Sequence, residues 1–262
     1  MAPVTHPLPV VTLADLCGDC TELLVLAPHP DDETLACGGL MQAALAAGLA
    51  VRVIVVSDGE ACFGALPPAD RAALAARRRA ESVAAAKALG LPPAALTFWG
   101  RGDGALSGEV TTLAGRIAQA WSAGTCLIAP WPGDGHPDHA ALGRATMLSF
   151  KQRVAPVSAA RAADFAQERL PASAAQALFY PLWSRRPGAR EYAALMAEPH
   201  VVRLPLDDGA RARKRRACEC FASQMSRPAD GAAPIVGIAV QELLTAGDEW
   251  FVLPALGAPP FP

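Results

Sequence analysis

The stretch Leu23-Leu24-Val25-Leu26-Ala27-Pro28-His29-Pro30-Asp31-Asp32-Glu33 joins a run of apolar residues to a dense group of ionisable side chains. The apolar run 23–26 predicts a buried strand of a parallel sheet. An imidazole and three carboxylates follow it, and charged groups at such a position are costly to desolvate unless something pairs with them. Ligands of open α/β sheets bind at the carboxyl ends of the strands, so this position indicates a site for a divalent metal.

An alternation of strands and helices surrounds this stretch. Further strands are predicted at 51–56, 96–99, 126–129, 177–180 and 201–204, and helices at 36–47, 70–89, 110–123, 140–153 and 208–225. The first helix joins two strands in a β-α-β unit, which implies parallel strands and a right-handed crossover. The pattern predicts a Rossmann-like three-layer α/β sandwich with a mainly parallel sheet. No internal repeat or linker divides the chain, so we expect one domain, 1–262.

The composition is that of a globular protein with a large core, since 52% of the residues are hydrophobic and 18% are charged. The net charge of −2 gives no general attraction to nucleic acid. No signal peptide is evident and no apolar run approaches the ~18 residues of a membrane span, so we expect a cytoplasmic protein. The odd number of cysteines, seven, suits reduced thiols, and the lone Cys17-Gly18-Asp19-Cys20 pair favours a structural role over a redox or metal role.

Polar clusters follow three of the predicted strands, and parallel strands bring their carboxyl ends to one edge of the sheet. These clusters are His29/Asp31/Asp32/Glu33, Ser57/Asp58/Glu60 and Asp134/His136/Asp138/His139. Imidazole and carboxylate ligands suit Zn²⁺, and a catalytic zinc site keeps one position open for water. One of the two adjacent aspartates can bind the metal while the other takes a proton from that water. Their spacing alone does not decide which one does which.

Two motifs, His29-Pro30-Asp31-Asp32-Glu33-Thr34-Leu35 with Cys37-Gly38-Gly39 and Gly135-His136-Pro137-Asp138-His139, resemble the PIG-L/LmbE family of zinc de-N-acetylases. Other segments agree, namely Ser57-Asp58-Gly59-Glu60, Arg78-Arg79-Ala80-Glu81 and Lys214 ahead of Ala222-Ser223-Gln224. The resemblance covers the core of the domain, about residues 22–226. It implies removal of an N-acetyl group from an N-acetylglucosamine-type amino sugar conjugate, a small-molecule substrate.

The resemblance also implies roles for the residues of the two motifs. His29, Asp32 and His139 are the implied zinc ligands, with Fe²⁺, Co²⁺ and Mn²⁺ as alternative metals. Asp31 is the implied general base, and His136 is the implied group that stabilises the oxyanion. A protonated His136 would add electrostatic stabilisation in a site screened from water.

Other residues are candidates for supporting roles. Asp138 is expected to orient a neighbouring histidine or to cap the following helix, rather than to bind metal. Glu33 is expected to be structural. Contacts with the substrate are predicted for four residues, each weighed against a structural role: Arg78 (one of a solvated arginine face), Asp58 and Glu60 (turn residues), and Trp131 (a packed loop residue).

Other function classes fit less well. A dinucleotide-binding oxidoreductase lacks its G-x-G-x-x-G after the first strand, and the acidic loop would repel a pyrophosphate. Cleavage of another amide, an ester or a phosphoester by a zinc hydrolase stays open, as does a catalytically silent sugar-binding relative, although Asp31 is present. The loops 62–68, 100–108 and 179–188 carry several arginines, which makes an anionic or polar partner to the sugar conceivable. Homo-oligomer formation also stays open.

Overall fold

A seven-stranded sheet runs through the residues that the computed structural model describes, 8–161, 176–186, 188–226 and 233–254. Its strands are β1 (Glu22–Ala27), β2 (Ala50–Ser57), β3 (Leu96–Arg101), β4 (Thr125–Pro130), β5 (Gln176–Tyr180), β6 (Val201–Leu204) and β7 (Glu249–Val252). Their order across the sheet is β3-β2-β1-β4-β5-β7-β6. Strands β1 to β5 are parallel, and β7 runs antiparallel to both of its neighbours. The predicted mainly parallel sheet is confirmed.

Helices cover both faces of the sheet. In the described ranges they are α1 (Leu13–Cys17), α2 (Asp32–Ala46), α3 (Pro68–Leu89), α4 (Val110–Ala120), α5 (Pro137–Arg161), α6 (Tyr192–Ala197), α7 (Asp208–Glu219), α8 (Ala222–Met225) and α9 (Ile238–Ala246). Alternate residues of β1 enter two separate cores: Leu23 and Val25 join the core with α2, α3 and α7, whereas Leu24 and Leu26 join the core with α4 and α5. This is the predicted three-layer sandwich.

The strand order reverses next to β1, and this reversal positions the site. The chain passes from β1 outward to β2 and β3, and then returns to place β4 on the other side of β1. A crevice therefore opens beyond the carboxyl ends of β1 and β4, where ligands of such sheets bind. The loop 28–31 follows β1 and the loop 131–136 follows β4, so both motifs lie at this crevice.

The C-terminal part of the fold departs from the predictions. The predicted helix 208–225 is two helices, because the chain breaks at the fully buried Phe221. Strand β7 was not predicted, since Glu249 looks like a surface residue. Glu249 is in fact buried, and its carboxylate accepts hydrogen bonds from the Lys214 ammonium and from backbone N–H groups of α2.

The structure also bears on the expected absence of a membrane segment. Within the described ranges, none of the helices combines the length and the apolar character that crossing a bilayer requires.

Candidate active site

The turn after β1 is held in a strained conformation. Asp31 has φ 117° and ψ −32°, and a side chain other than glycine seldom adopts a positive φ. Its backbone N–H donates to Glu33 Oε2 at 3.1 Å. The guanidinium of the buried Arg78 donates to the carbonyl oxygens of Pro30 (2.6 Å) and Gly59 (2.7 Å). These contacts offset the cost of the conformation and aim the Asp31 carboxylate at the crevice.

His29 is held between carboxylates on both sides of its ring. Its Nε2 lies 3.1 Å from Asp103 Oδ1 and 3.3 Å from Asp138 Oδ2, and its Nδ1 lies 3.2 Å from Asp32 Oδ2. Burial alone would lower the pKa of His29, but the three carboxylates raise it well above its usual value. When Nε2–H donates to the Asp103 and Asp138 carboxylates, the lone pair of Nδ1 is left for a metal, a common arrangement for metal-binding histidines.

His139 is fully buried, with Nε2 beside the Asp32 carboxylate. Among the described residues, neither Nδ1 nor Nε2 has a partner in hydrogen-bond geometry. Its Nε2 lies 3.2 Å from Asp32 Oδ2, the atom that is also 3.2 Å from His29 Nδ1. Ligands about 2.1 Å from a tetrahedral zinc ion lie roughly 3.4 Å from one another, so both separations suit a shared metal. The donor set at Asp32 therefore fits a divalent cation.

The structure brings a further histidine into ligand range. Nitrogen atoms of His29, His136 and His139 lie within 4.8 Å of one another, as do ligand atoms of His29, Asp103 and Asp138. His136 thus competes with Asp32 for the third ligand position. Burial would raise the pKa of Asp32, but the two neighbouring histidines hold it below its usual value, so this carboxylate is charged and suited to ligation.

The charge expected on His136 is corrected by the structure. Burial lowers its pKa to about 4, and His29 and His139 act in the same direction. Its Nδ1 accepts a hydrogen bond from the backbone N–H of Asp138 at 3.2 Å, which assigns the proton of the neutral ring to Nε2. His136 therefore offers the crevice a neutral N–H donor rather than an imidazolium.

Asp31 has the protonation behaviour of a base that works near neutral pH. Burial raises its pKa to about 7, although the Arg78 guanidinium, 3.4 Å from Asp31 Oδ2, opposes this rise. The charge of Asp32 raises the pKa further. A divalent cation bound beside Asp31 would draw its pKa down again, which favours the carboxylate form.

A cleft of about 450 Å³ opens over these groups. Five of the predicted site residues line it: His29, Asp31, Asp32, Arg78 and His136. His139 and Asp138 lie beneath its floor with no exposed surface. Asp138 accepts hydrogen bonds from the backbone N–H groups of Gly104 (2.8 Å) and Leu106 (3.1 Å), and so joins the β3 loop to the ring of His29.

Three predicted substrate contacts are not brought to the cleft. Asp58 forms a two-pronged ion pair with Arg79, with both N–O distances 2.7 Å. Glu60 Oε1 lies 3.4 Å from the backbone nitrogen of Asp103. Trp131 is 2% exposed and packs in the core under α4 and α5, because it continues the alternation of β4 on that face.

Arg78 does not lie on the solvated arginine face that was weighed as the alternative for it. It lines the cleft, but it is buried and its guanidinium donates to the turn of Asp31, so it is not part of a solvated face.

Asp103 was missed as a site residue, and Asp134 was placed in the third polar cluster without an assigned role. Asp103 follows β3 in an Asp-Gly pair, as Asp58 follows β2, and this repeated pattern is the signal that could have found it. Burial opposes ionisation of Asp103, but His29 lowers its pKa to about 2. Asp134 accepts from the backbone N–H groups of Leu182 (2.8 Å) and Trp183 (3.0 Å), which attaches the β5 loop to the β4 loop. No sequence signal marks that contact.

Solved structures share this fold. A conserved protein from Thermus thermophilus is 24% identical, with a TM-score of 0.59 over 92% of this chain and 98% of that one. The N,N'-diacetylchitobiose deacetylase from Pyrococcus horikoshii is 20% identical, with a TM-score of 0.56 over 83% of this chain and 75% of that one. The 4-carboxy-2-hydroxymuconate hydratase from Pseudomonas putida KT2440 is 18% identical, with a TM-score of 0.52 over 92% of this chain and 100% of that one.

At these identities the structural likeness establishes the fold alone. No curated protein matches the chain. Residues 24–150, which contain both histidine motifs, match the model of the PIG-L family, described as GlcNAc-PI de-N-acetylase. The match to the PIG-L model covers just under half of this chain.

Proposed function

We propose that this protein is a metal-dependent N-deacetylase that hydrolyses the acetamide of an N-acetylglucosamine-type conjugate. The observation that carries the proposal is the convergence at one cleft of Asp31, His136 and the buried pair Asp32 and His139. The PIG-L match agrees with this reaction, and one protein of the same fold is a deacetylase of an N-acetylated sugar.

His29 Nδ1, Asp32 and His139 Nε2 are the proposed ligands of the metal, for which zinc is favoured over iron, cobalt and manganese. The set is supported by the position of Asp32 Oδ2, 3.2 Å from both His29 Nδ1 and His139 Nε2, and by the absence of hydrogen-bond geometry at His139 Nε2. When bound, such a metal supplies Lewis acidity, which lowers the pKa of water to about 7. Asp103 and Asp138 orient His29 by accepting its Nε2–H.

Asp31 carries the proton through both halves of the proposed reaction. Its carboxylate takes a proton from the attacking water, whose oxygen forms a bond to the carbonyl carbon of the acetamide. The C–N bond then breaks, and the Asp31 carboxyl returns the proton to the departing nitrogen. The second proton of the water leaves the new carboxyl group and is taken up by the amine, so the products at neutral pH are acetate and an ammonium ion and the atoms of one water are accounted for.

His136 stabilises the negative charge that develops on the carbonyl oxygen. Its Nε2–H is a neutral donor whose orientation is set by the backbone N–H of Asp138 at Nδ1. A donor that is already oriented costs no reorganisation during the reaction, and the loss of one such donor typically lowers kcat about 10²–10³-fold.

Other reactions are less well supported. A hydratase shares the fold, so the fold does not select the reaction. A silent sugar-binding relative would have no use for a buried aspartate held at a strained φ of 117° beside the ligands. Hydrolysis of another amide or an ester would use the same groups. Only assays with different substrates distinguish it from deacetylation of an amino sugar.

The proposal is tested with a panel of N-acetylated glycosides, assayed for primary amine and for acetate. We expect equal amounts of both from at least one N-acetylglucosaminide, loss of activity with a chelator and recovery when zinc is returned. An O-acetylated analogue of each sugar serves as the matched control for esterase activity. Absence of amine from every glycoside, with stoichiometric metal in the protein, would contradict the proposal.

A further inference from the structure

A cluster of three cysteines lies at the edge of the sheet opposite the cleft. Cys17 ends α1, Cys20 stands two residues before β1, and Cys126 is the second residue of β4. The amino ends of β1 and β4 are adjacent, since Leu23 pairs with Cys126 in the register of the two strands. The cleft opens beyond the carboxyl ends of these strands, roughly 13 Å further along β4. The cluster is therefore separate from the proposed metal site and independent of the proposed function.

The segment 17–20 is folded into a tight turn. The backbone N–H of Cys20 donates to the Cys17 carbonyl at 3.0 Å, and Gly18 has φ 53° and ψ −129°. These angles are those of the first central residue of a type II′ turn, a position that favours glycine. Such a turn places the Cα atoms of its first and last residues less than about 7 Å apart. Both cysteines of the pair are thus held close together in front of β1.

The fold adds a third thiol to this pair, which spacing along the chain does not reveal. Cys126 is fully buried, and its thiol is in hydrogen-bonding contact with the thiols of both Cys17 and Cys20. Among the described residues, the three sulfur atoms do not all lie within 4.8 Å of one another, so they form no compact metal site of three thiolates. The arrangement suits a bond between Cys126 and one of the other two cysteines.

Cys20 is the member of the cluster that an oxidant in solution reaches most easily. It is 9% exposed, whereas Cys17 and Cys126 are 2% and 0% exposed. Contact with the Cys126 thiol lowers the pKa of Cys20 against the effect of burial, and the backbone of Gln176 acts in the same direction. The two neighbouring thiols and burial raise the pKa of Cys126, which keeps its proton. The thiolate is the reactive form, so Cys20 is the nucleophile of the cluster.

We propose that Cys20 and Cys126 form a reversible disulfide when the protein meets a hydroperoxide. The Cys20 sulfur attacks one oxygen of hydrogen peroxide and the O–O bond breaks, which gives a sulfenic acid at Cys20. The other oxygen leaves as water with the proton that Cys20 gave up. The Cys126 sulfur then bonds to the Cys20 sulfur, and the hydroxyl of the sulfenic acid leaves as a second water with the proton of Cys126. Two thiols are oxidised and one peroxide is reduced to two waters.

The Cys126 thiol protects Cys20 from irreversible oxidation in this scheme. A sulfenic acid without a neighbouring thiol is oxidised by further peroxide to a sulfinic acid, which ordinary thiols do not reduce. Because Cys126 already contacts Cys20, formation of the disulfide is intramolecular and precedes that second oxidation.

The test maps the cysteines of the full chain after treatment with hydrogen peroxide and alkylation of the remaining thiols. A protease that cleaves before aspartate separates Cys17 from Cys20, because Asp19 lies between them. It releases peptide 19–30 with Cys20 alone and peptide 103–133 with Cys126 alone. We expect mass spectrometry to find these two peptides linked, with the loss of two hydrogen atoms, and separate again after treatment with dithiothreitol.

Three variants assign the roles within the cluster. Cys17→Ala is the matched control and should form the same link at a rate within about twofold of the wild-type rate, since Cys17 is not part of the bond. Cys126→Ala should lose the link. Cys17→Ala combined with Cys126→Ala leaves Cys20 without a neighbouring thiol of the cluster, and Cys20 should then gain two oxygen atoms as a sulfinic acid. Circular dichroism checks that each variant is folded, and the mapping of the wild-type protein depends on none of them.

Cys62 provides an internal comparison within the same sample. It is more exposed than Cys20, but burial raises its pKa and its Sγ lies 3.6 Å from the Gln224 amide nitrogen. It should be oxidised about 10-fold more slowly than Cys20, because a raised pKa leaves less thiolate. A wild-type Cys20 that stays free while Cys62 is oxidised overturns the proposal. A link from Cys20 to Cys17, or a sulfinic acid at Cys20 in the wild-type protein, overturns the role of Cys126.

Discussion

The variant Asp31→Asn is expected to lower kcat for deacetylation about 10²–10⁴-fold without changing the metal content, the range for loss of a general base. Asparagine keeps the shape of the side chain and its place at a positive φ, which asparagine tolerates better than most residues. It cannot accept a proton from water or return one to the amine. Steady-state kinetics and elemental analysis on the same preparation measure the two effects together.

Asp58→Asn is the matched control for that variant. Asp58 has the same side chain but pairs with Arg79 outside the cleft, and an exposed ion pair of this kind contributes at most about 1 kcal/mol to stability. Its kcat should remain within about twofold of the wild-type value. Near-normal activity in Asp31→Asn, or loss of its metal, would remove Asp31 from the role of base.

The variant His139→Ala is expected to weaken metal binding by more than about 100-fold and to abolish turnover. Removal of a residue that only hydrogen-bonds to a metal ligand already weakens metal binding about 10–100-fold. Removal of a ligand itself should have a larger effect. Asp138→Asn alters the hydrogen bond to His29, so its loss of metal affinity should stay within about 10–100-fold. Competition with a chromophoric chelator measures the affinities.

Two further measurements keep the His139 prediction decisive. His200→Ala is the matched control, because His200 is exposed and outside the site, and it should keep the wild-type affinity. Because His139 is fully buried, circular dichroism and His139→Gln, which retains most of the volume, separate loss of ligation from misfolding. Unchanged metal affinity in a folded His139→Ala protein would contradict the ligand set.

Much of the fold and part of the site follow from the period and position of residues in the sequence. Buried parallel strands appear as uninterrupted apolar runs, and 23–26 and 126–129 each lie within a central strand. Parallel strands must end at one edge of the sheet, so the two histidine motifs could be expected to meet. The structure brings His29, Asp32, His136 and His139 together at that edge.

The direction of side chains beyond the strand ends was not predicted correctly. Trp131 keeps the two-residue alternation of β4 and faces the core, as in the packed alternative that was weighed against contact with the substrate. Asp58 lies after β2 as expected, but its carboxylate pairs with Arg79. Arg79 follows the cleft-lining Arg78 on α3. The direction of such a side chain depends on which partner is nearest in space. Spacing along the chain does not specify that partner.

Contacts between distant segments explain the rest of what was missed. Glu249 is stabilised in a buried position by Lys214, which lies 35 residues earlier in the chain. The neutral state of His136 arises because burial and two neighbouring histidines disfavour its charge. Burial and the electrostatic effect of neighbouring charges are set only once the site is assembled. The charge state of a residue is therefore harder to predict from sequence than its position in the fold.

The destination of the oxygen atom of water tests the central claim most directly, because a deacetylase places it in acetate whereas a hydratase adds it to the intact substrate. The zinc-loaded protein is incubated with an N-acetylglucosaminide in H₂¹⁸O, and the products are separated by mass spectrometry. We predict acetate that carries one ¹⁸O and an equimolar free amine without label, both absent when a chelator removes the metal. Intact substrate with an added labelled water, or no acetate while zinc is bound, would contradict the account.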